Sequence, residues 1–359
     1  MQANITHTVL FRFLRTASLV LIGGLIAIAS APVSAQAVDG SRPAPLPLLD
    51  DDEAWALLPK VEDASSRRLP AWARALAGSL PRTTAAMLEL DYLYRTSDAF
   101  DPRLRARMRF VVAQANRCEY ARACAEADLL RAGGTAQDVA QLAAGAVDLP
   151  AGDRAALSFA RKMTLAASTV TDEEVTRLFD EIGEPAVVAM VLQMAYANFQ
   201  DRLLIALGSE IEPDGPLPPL AVRFIAPPPD QKPEPAVRPA KPESAPGEAA
   251  GTTPEKIVDP EWQALNFVQL QDLMEAQRSR QSRVSVPVWE AVRQGLDPKL
   301  YPPDRPVRIK WSLVVLGHQP RLGAAWIKCL RTFGREANQD RVFEETLFWV
   351  ITRSLQCFY

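Results

Sequence analysis

From Leu69 to Leu207 apolar residues recur at intervals of three and four, and no stretch alternates with a period of two. That spacing places one apolar stripe on each of a series of helices and predicts an all-α unit. The breaks are explicit. Ala132-Gly133-Gly134-Thr135 ends one helix and caps the next, with Asp138 three residues after the threonine. Leu149-Pro150-Ala151-Gly152-Asp153 opens a helix through Leu165, Thr171-Asp172-Glu173-Glu174 opens another, and Gly183-Glu184-Pro185 starts the last, Ala186 to Leu207. Ahead of this unit, Asp50 to Trp55 has the acidic residues of a helix start. After it, fourteen of the thirty prolines fall between Pro213 and Pro260, a composition that predicts an extended, semi-rigid linker. Helical patterning resumes at Trp262 and is interrupted by Tyr301 to Pro306.

The pattern repeats. A shift of 239 positions lays Trp72–Tyr120 onto Trp311–Tyr359 without a gap, matching Trp72, Gly78, Pro81, Arg82, Ala85, Ala86, Asp101, Val111, Cys118 and Tyr120 with identical residues. An internal duplication follows, its second copy cut short inside the segment that carries Cys357. The expected organisation is a signal peptide over 1–37, an extension over 38–68, a first helical domain over 69–212, the linker over 213–260 and an incomplete second domain over 261–359.

Composition changes the picture in three places. The net charge of −3 gives no electrostatic case for nucleic acid. Arg12 and Arg15 precede an apolar run, Ala17–Ala29, followed by small residues at Val33-Ser34-Ala35 and Ala35-Gln36-Ala37. This is the pattern of an export signal, shorter than a membrane span of about 20 residues. A periplasmic or extracellular protein is expected, or one held at the membrane by an uncleaved leader. Finally, the only histidines are His7 and His318, so no multi-histidine zinc site and no cofactor is expected.

The helix with Cys118-Glu119-Tyr120, the ADLLRAGGTAQDVAQL stretch and Tyr196–Arg202 together resemble the carboxymuconolactone decarboxylase / alkyl hydroperoxidase D-like family. The resemblance implies the all-α alkyl hydroperoxidase D-like fold, here duplicated, and a homo-oligomer. Its peroxidase members use two cysteines three residues apart, a glutamate twelve residues before the first and a histidine four after the second. They take hydroperoxides as substrates and an external thiol reductant. Cys118 occupies the first cysteine position, but the attacking thiol, histidine and glutamate positions are Ala121, Ala125 and Ala106. Cys124 lies six residues on, about 9 Å further along a straight helix, outside disulfide reach.

The first domain is therefore expected to be structural, with Cys118 as its one candidate redox residue. In the second copy Glu345 stands twelve residues before Cys357, where the relay carboxylate belongs, and the pair requires a bend before Cys357. Cys357, Glu345 and Cys118 are the candidate catalytic residues for thiol-dependent hydroperoxide reduction. The family's decarboxylase branch, and a non-catalytic helical scaffold for oligomerisation or partner binding, are the alternatives. Cys329 reads as a core thiol, His318 as a cap or surface residue, and Phe348 and Trp349 as core.

Overall fold

The computed structural model describes residues 47–62, 67–145, 149–225, 265–276, 281–298, 301, 306–337 and 339–354. The proposed leader, most of the linker and Cys357 lie outside the described residues. Fourteen α-helices and no strand occur among them, apart from an isolated antiparallel bridge between Val61 and Phe224. The helices are α1 (Asp51–Leu57), α2 (Ala71–Leu76), α3 (Pro81–Thr96), α4 (Pro102–Asn116), α5 (Glu119–Arg131), α6 (Ala136–Ala144) and α7 (Ala151–Ala166). They continue as α8 (Asp172–Ile182), α9 (Glu184–Ala206), α10 (Phe267–Ala276), α11 (Trp289–Val292), α12 (Lys310–His318), α13 (Pro320–Glu336) and α14 (Arg341–Ser354). The all-α class is as the periodicity predicts.

The helix starts are where the side chains supply acceptors. Capping boxes form at Asp50/Glu53, Thr135/Asp138 and Thr171/Glu174, each satisfying two backbone N–H groups that the first turn leaves orphaned. One local difference matters for the site. The run from Asp101 to Leu130 reads as continuously helical, but the chain breaks at Arg117, which adopts a left-handed conformation (φ 58°). Cys118 then becomes the N-cap of α5. The turn lets α4 and α5 fold back against each other as a helical hairpin.

Helix α4 is the central element, packed by α5, α7 and α9. On one side Met108, Val112 and Leu104 meet Phe159, Leu178, Met190 and Met194. On the other, Phe110 and Ala106 meet Leu129 and Leu142. A third cluster joins α2 and α3 to α9 and runs on through Trp289, Val315, Leu316, Leu322 and Ile327 of α11–α13. The C-terminal helices thus share a core with the first: Trp326 of α13 sits edge-on to Tyr196 and Phe199 of α9, at 6.4 and 5.8 Å between ring centroids. Burying rings of this size is a large apolar contribution and fixes their relative orientation.

The first part of the proline-rich stretch is docked on the helical unit. Arg95 and Arg131 donate to the carbonyls of Leu217 and Pro216, Arg67 donates to Ala221, and the Phe224 N–H donates to Glu89. Proline removes donors but leaves every carbonyl free, and the arginines of the helical unit take them up.

Candidate functional site

The first cysteine position is at the α4–α5 turn. Cys118 is buried at the N-cap of α5, and burial pushes its thiol pKa up although the Ala121 N–H works the other way. A helix N-terminus ordinarily favours a thiolate; here desolvation wins. Cys124, one and a half turns on, is pushed up to about 12 by burial, with Asp91, Asp128 and Glu212 adding to it against Arg95. Both are free thiols. Ala121, Ala125 and Ala106 are all buried, so neighbouring side chains close over the positions where a second thiol, a histidine and a glutamate would stand.

What surrounds them is a buried charge network that reading from the sequence did not find. Asp91 of α3 accepts from Tyr196 Oη (2.7 Å) and Gln200 Nε2 (2.8 Å) and lies 3.4 Å from Arg95. Arg95 grips Asp128 of α5 with two bonds, at 2.8 and 2.9 Å. Arg109 of α4 pairs with the fully buried Asp201 and donates to Gln200 (3.0 Å), while Asn116 donates to Asp201 from the other side (2.9 Å). Tyr120 donates to Glu212 (2.7 Å), which also accepts from the Ala71 N–H.

The electrostatics follow from this pairing. Burial works against the charges of Arg95 and Arg109, but Asp91 and Asp128 outweigh it at the first and Asp201 at the second. Tyr196 and Tyr120 are driven far above the usual phenol range, first by burial and then by Asp91 at Tyr196 and by Cys124 and Glu212 at Tyr120. The two arginines stay charged and the two phenols stay protonated across physiological pH, which suits a structural lock better than a proton relay. A cavity of about 30 Å³, lined by Ala121, Cys124, Ala125, Asp91 and Arg109 among others, lies inside the network. That is close to one water molecule's share of liquid volume. A second, half-open cavity of about 220 Å³ lies beside Ala106, with Arg95, Arg105, Arg109 and Arg131 in its wall.

Part of this network, on α3, α4 and α5, lies in a stretch similar to a known family. Residues 80–162, from the start of α3 into α7, match the Carboxymuconolactone decarboxylase family. The chain carries a carboxymuconolactone decarboxylase family domain. No curated protein matches the chain.

The family domain holds Cys118 but none of the other candidates. Glu345, on α14, is exposed and pairs with Arg341 one turn earlier (3.1 Å). Cys329 is buried in α13 and pushed up to about 12 by burial. His318 closes α12 and meets the Ser285 carbonyl at 3.1 Å. Phe348 and Trp349 are exposed rather than core, because no other helix packs extensively against α14 among the described residues. No group of three metal-binding side chains and no helix long and apolar enough to cross a membrane occurs there either.

The missed residues had one signal. Gln200 and Asp201 sit in the Tyr196–Arg202 stretch that carries part of the family resemblance. Asp91, Arg95 and Arg109 had none, since a charged residue within a helical stripe reads as a solvated face until its partner is known.

Proposed function

We propose that the family domain is a non-redox member of its family, a rigid helical scaffold, and that any thiol chemistry of this chain belongs to its C-terminal part. The observation that carries this reading is the combination of protonated thiols at Cys118, buried, and Cys124, half-buried, with alanine at 106, 121 and 125. A peroxide-attacking group must be a thiolate with access to solvent, and neither cysteine meets that requirement. Without a second thiol three residues on, the disulfide that would complete a catalytic cycle also has no partner at reach.

The second reading, thiol-dependent reduction of a hydroperoxide by Cys357 with Glu345 as relay, is favoured by the open position of Glu345. In that reaction the thiolate takes one peroxide oxygen, becoming a sulfenic acid, and an alcohol leaves; one thiol group of an external dithiol then forms a mixed disulfide with release of water, and its second thiol group displaces the cysteine, leaving the reductant as a disulfide. The experiment is peroxide consumption with dithiothreitol as reductant in the full chain. The scaffold reading expects no thiol-dependent turnover, or turnover abolished by Cys357→Ser and untouched by Cys118→Ser. Turnover lost in Cys118→Ser would overturn it. Export and homo-oligomerisation remain part of this proposal.

A further inference from the structure

The offset that aligns the two halves in sequence also appears in space. Glu89 of α3 and Lys328 of α13 form an ion pair, and the two positions are separated by 239 residues, the repeat offset itself. Corresponding helices start together: α3 at Pro81 and α13 at Pro320, α4 at Pro102 and α14 at Arg341. Their caps correspond too. Asp101 accepts from the Leu104 N–H (3.2 Å), and Asp340 accepts from the Phe343 N–H (2.9 Å). Leu76, Ala77, Thr83, Thr84, Leu88 and Leu90 are buried, and so are Val315, Leu316, Leu322, Gly323, Ile327 and Cys329 at the matching places.

Helices α3 and α13 pack against each other in opposite directions. The first turn of α3 meets the last of α13, where the Glu336 carboxylate accepts from the Arg82 and Thr83 N–H groups at 2.9 and 2.6 Å. In an interface between two like units related by a two-fold axis, a residue meets its own counterpart only at the axis. Glu89 and Lys328 are such counterparts, midway along their helices.

We propose that α12–α14 are a second copy of the α2–α4 unit, and that α3 and α13 are one self-complementary surface paired about a pseudo-two-fold axis between Glu89 and Lys328. The partner this surface fits is another copy of itself. The residues at the axis decide which copy. Two first copies would set Glu89 against Glu89 and two second copies Lys328 against Lys328, whereas one of each forms an ion pair. Like charges at such a point disfavour the wrong pairing as much as the ion pair favours the right one. The contacts away from the axis are unequal in the same sense: Ser97 stands at the position matching Glu336, and it is too short to cap α13 as Glu336 caps α3.

The inference goes beyond the scaffold reading and is independent of any thiol chemistry. It is tested on the full chain by charge reversal. Glu89→Lys and Lys328→Glu, made singly, place like charges on the axis and are expected to lower Tm by about 2 °C or more. The double exchange restores it. The Glu89→Gln/Lys328→Gln chain, folded but without the charges, falls between. A tagged Lys328→Glu chain refolded with an untagged Glu89→Lys chain is expected to retain it, because only the pairing between chains then joins opposite charges. A double exchange no more stable than the single variants, or tagged chains that retain none of their complement, overturns the proposal.

Discussion

At the scale of the residue, burial decides what each candidate can do. Cys124 and Cys329 are both held near 12, above the ordinary thiol value of 9.0. The sign of the linkage is fixed by that shift. The unfolded chain releases these protons near pH 9 and the folded chain does not until about 12, so the unfolded state gains stability across that window. Folding stability is present in full below pH 9 and is expected to fall as pH rises towards 12. Urea unfolding at pH 7, 9 and 10.5 should show the decline, and Cys124→Ala with Cys329→Ala should lessen it, the remainder belonging to Cys118, Tyr120 and Tyr196, which burial also raises. An equal slope in that variant would assign the alkaline loss to other groups.

The charge network gives a larger effect. Arg95→Met takes the shared guanidinium away from Asp91 and Asp128, whose side chains are only 8% and 17% exposed. Removing one partner of a buried pair costs about 3–5 kcal/mol, and denaturant unfolding should register a loss in that range. A change below about 1 kcal/mol would mean that the network is hydrated.

At the scale of the element, matching positions in the two halves need not tolerate the same change. A Cβ on Gly78 would lie 3.7 Å from Leu49, an ordinary contact. On Gly317, its counterpart in α12, the same atom would lie 2.6 Å from Pro287 Cγ, a ring that cannot swing aside. Gly317→Ala is therefore expected to destabilise the chain by about 1–3 kcal/mol through overpacking, and Gly78→Ala to change it by less than about 1 kcal/mol. Comparing the two melting curves checks this directly. The same contrast shows what the sequence could reveal. Helix starts at Thr135 and Thr171 were legible because a cap is local chemistry, complete within four residues. The break at Arg117 was not, since a left-handed arginine costs energy that only the α4–α5 packing offsets. The network of Asp91, Arg95, Arg109, Asp128 and Asp201 joins four helices, and apart from Asp91 and Arg95, one turn apart, its partners lie 33 to 109 positions apart. No periodicity encodes such a pairing.

At the scale of the whole molecule, the two matching helices α4 and α14 have opposite fates. α4 lies between α5, α7 and α9, and Leu104, Met108, Phe110, Val111 and Val112 are buried. On α14, Val342, Phe343, Leu347, Phe348, Trp349, Val350 and Ile351 are 44–74% exposed. An apolar surface of this kind binds other apolar surfaces. It also contributes little to the stability of the chain as it stands, because side chains in contact with water in both states gain little from folding. Phe348→Gln with Trp349→Gln is therefore expected to shift unfolding free energy by no more than about 0.5 kcal/mol. The same change should reduce binding of the apolar dye anilinonaphthalene sulfonate and remove the most exposed tryptophan among the described residues, and with it part of the acrylamide-quenchable signal. Trp72, at 2% exposure, supplies the internal contrast: it should stay unquenched in both proteins. A loss of several kcal/mol in the double variant would show that α14 is covered in solution, with Phe348 and Trp349 as part of what holds the cover.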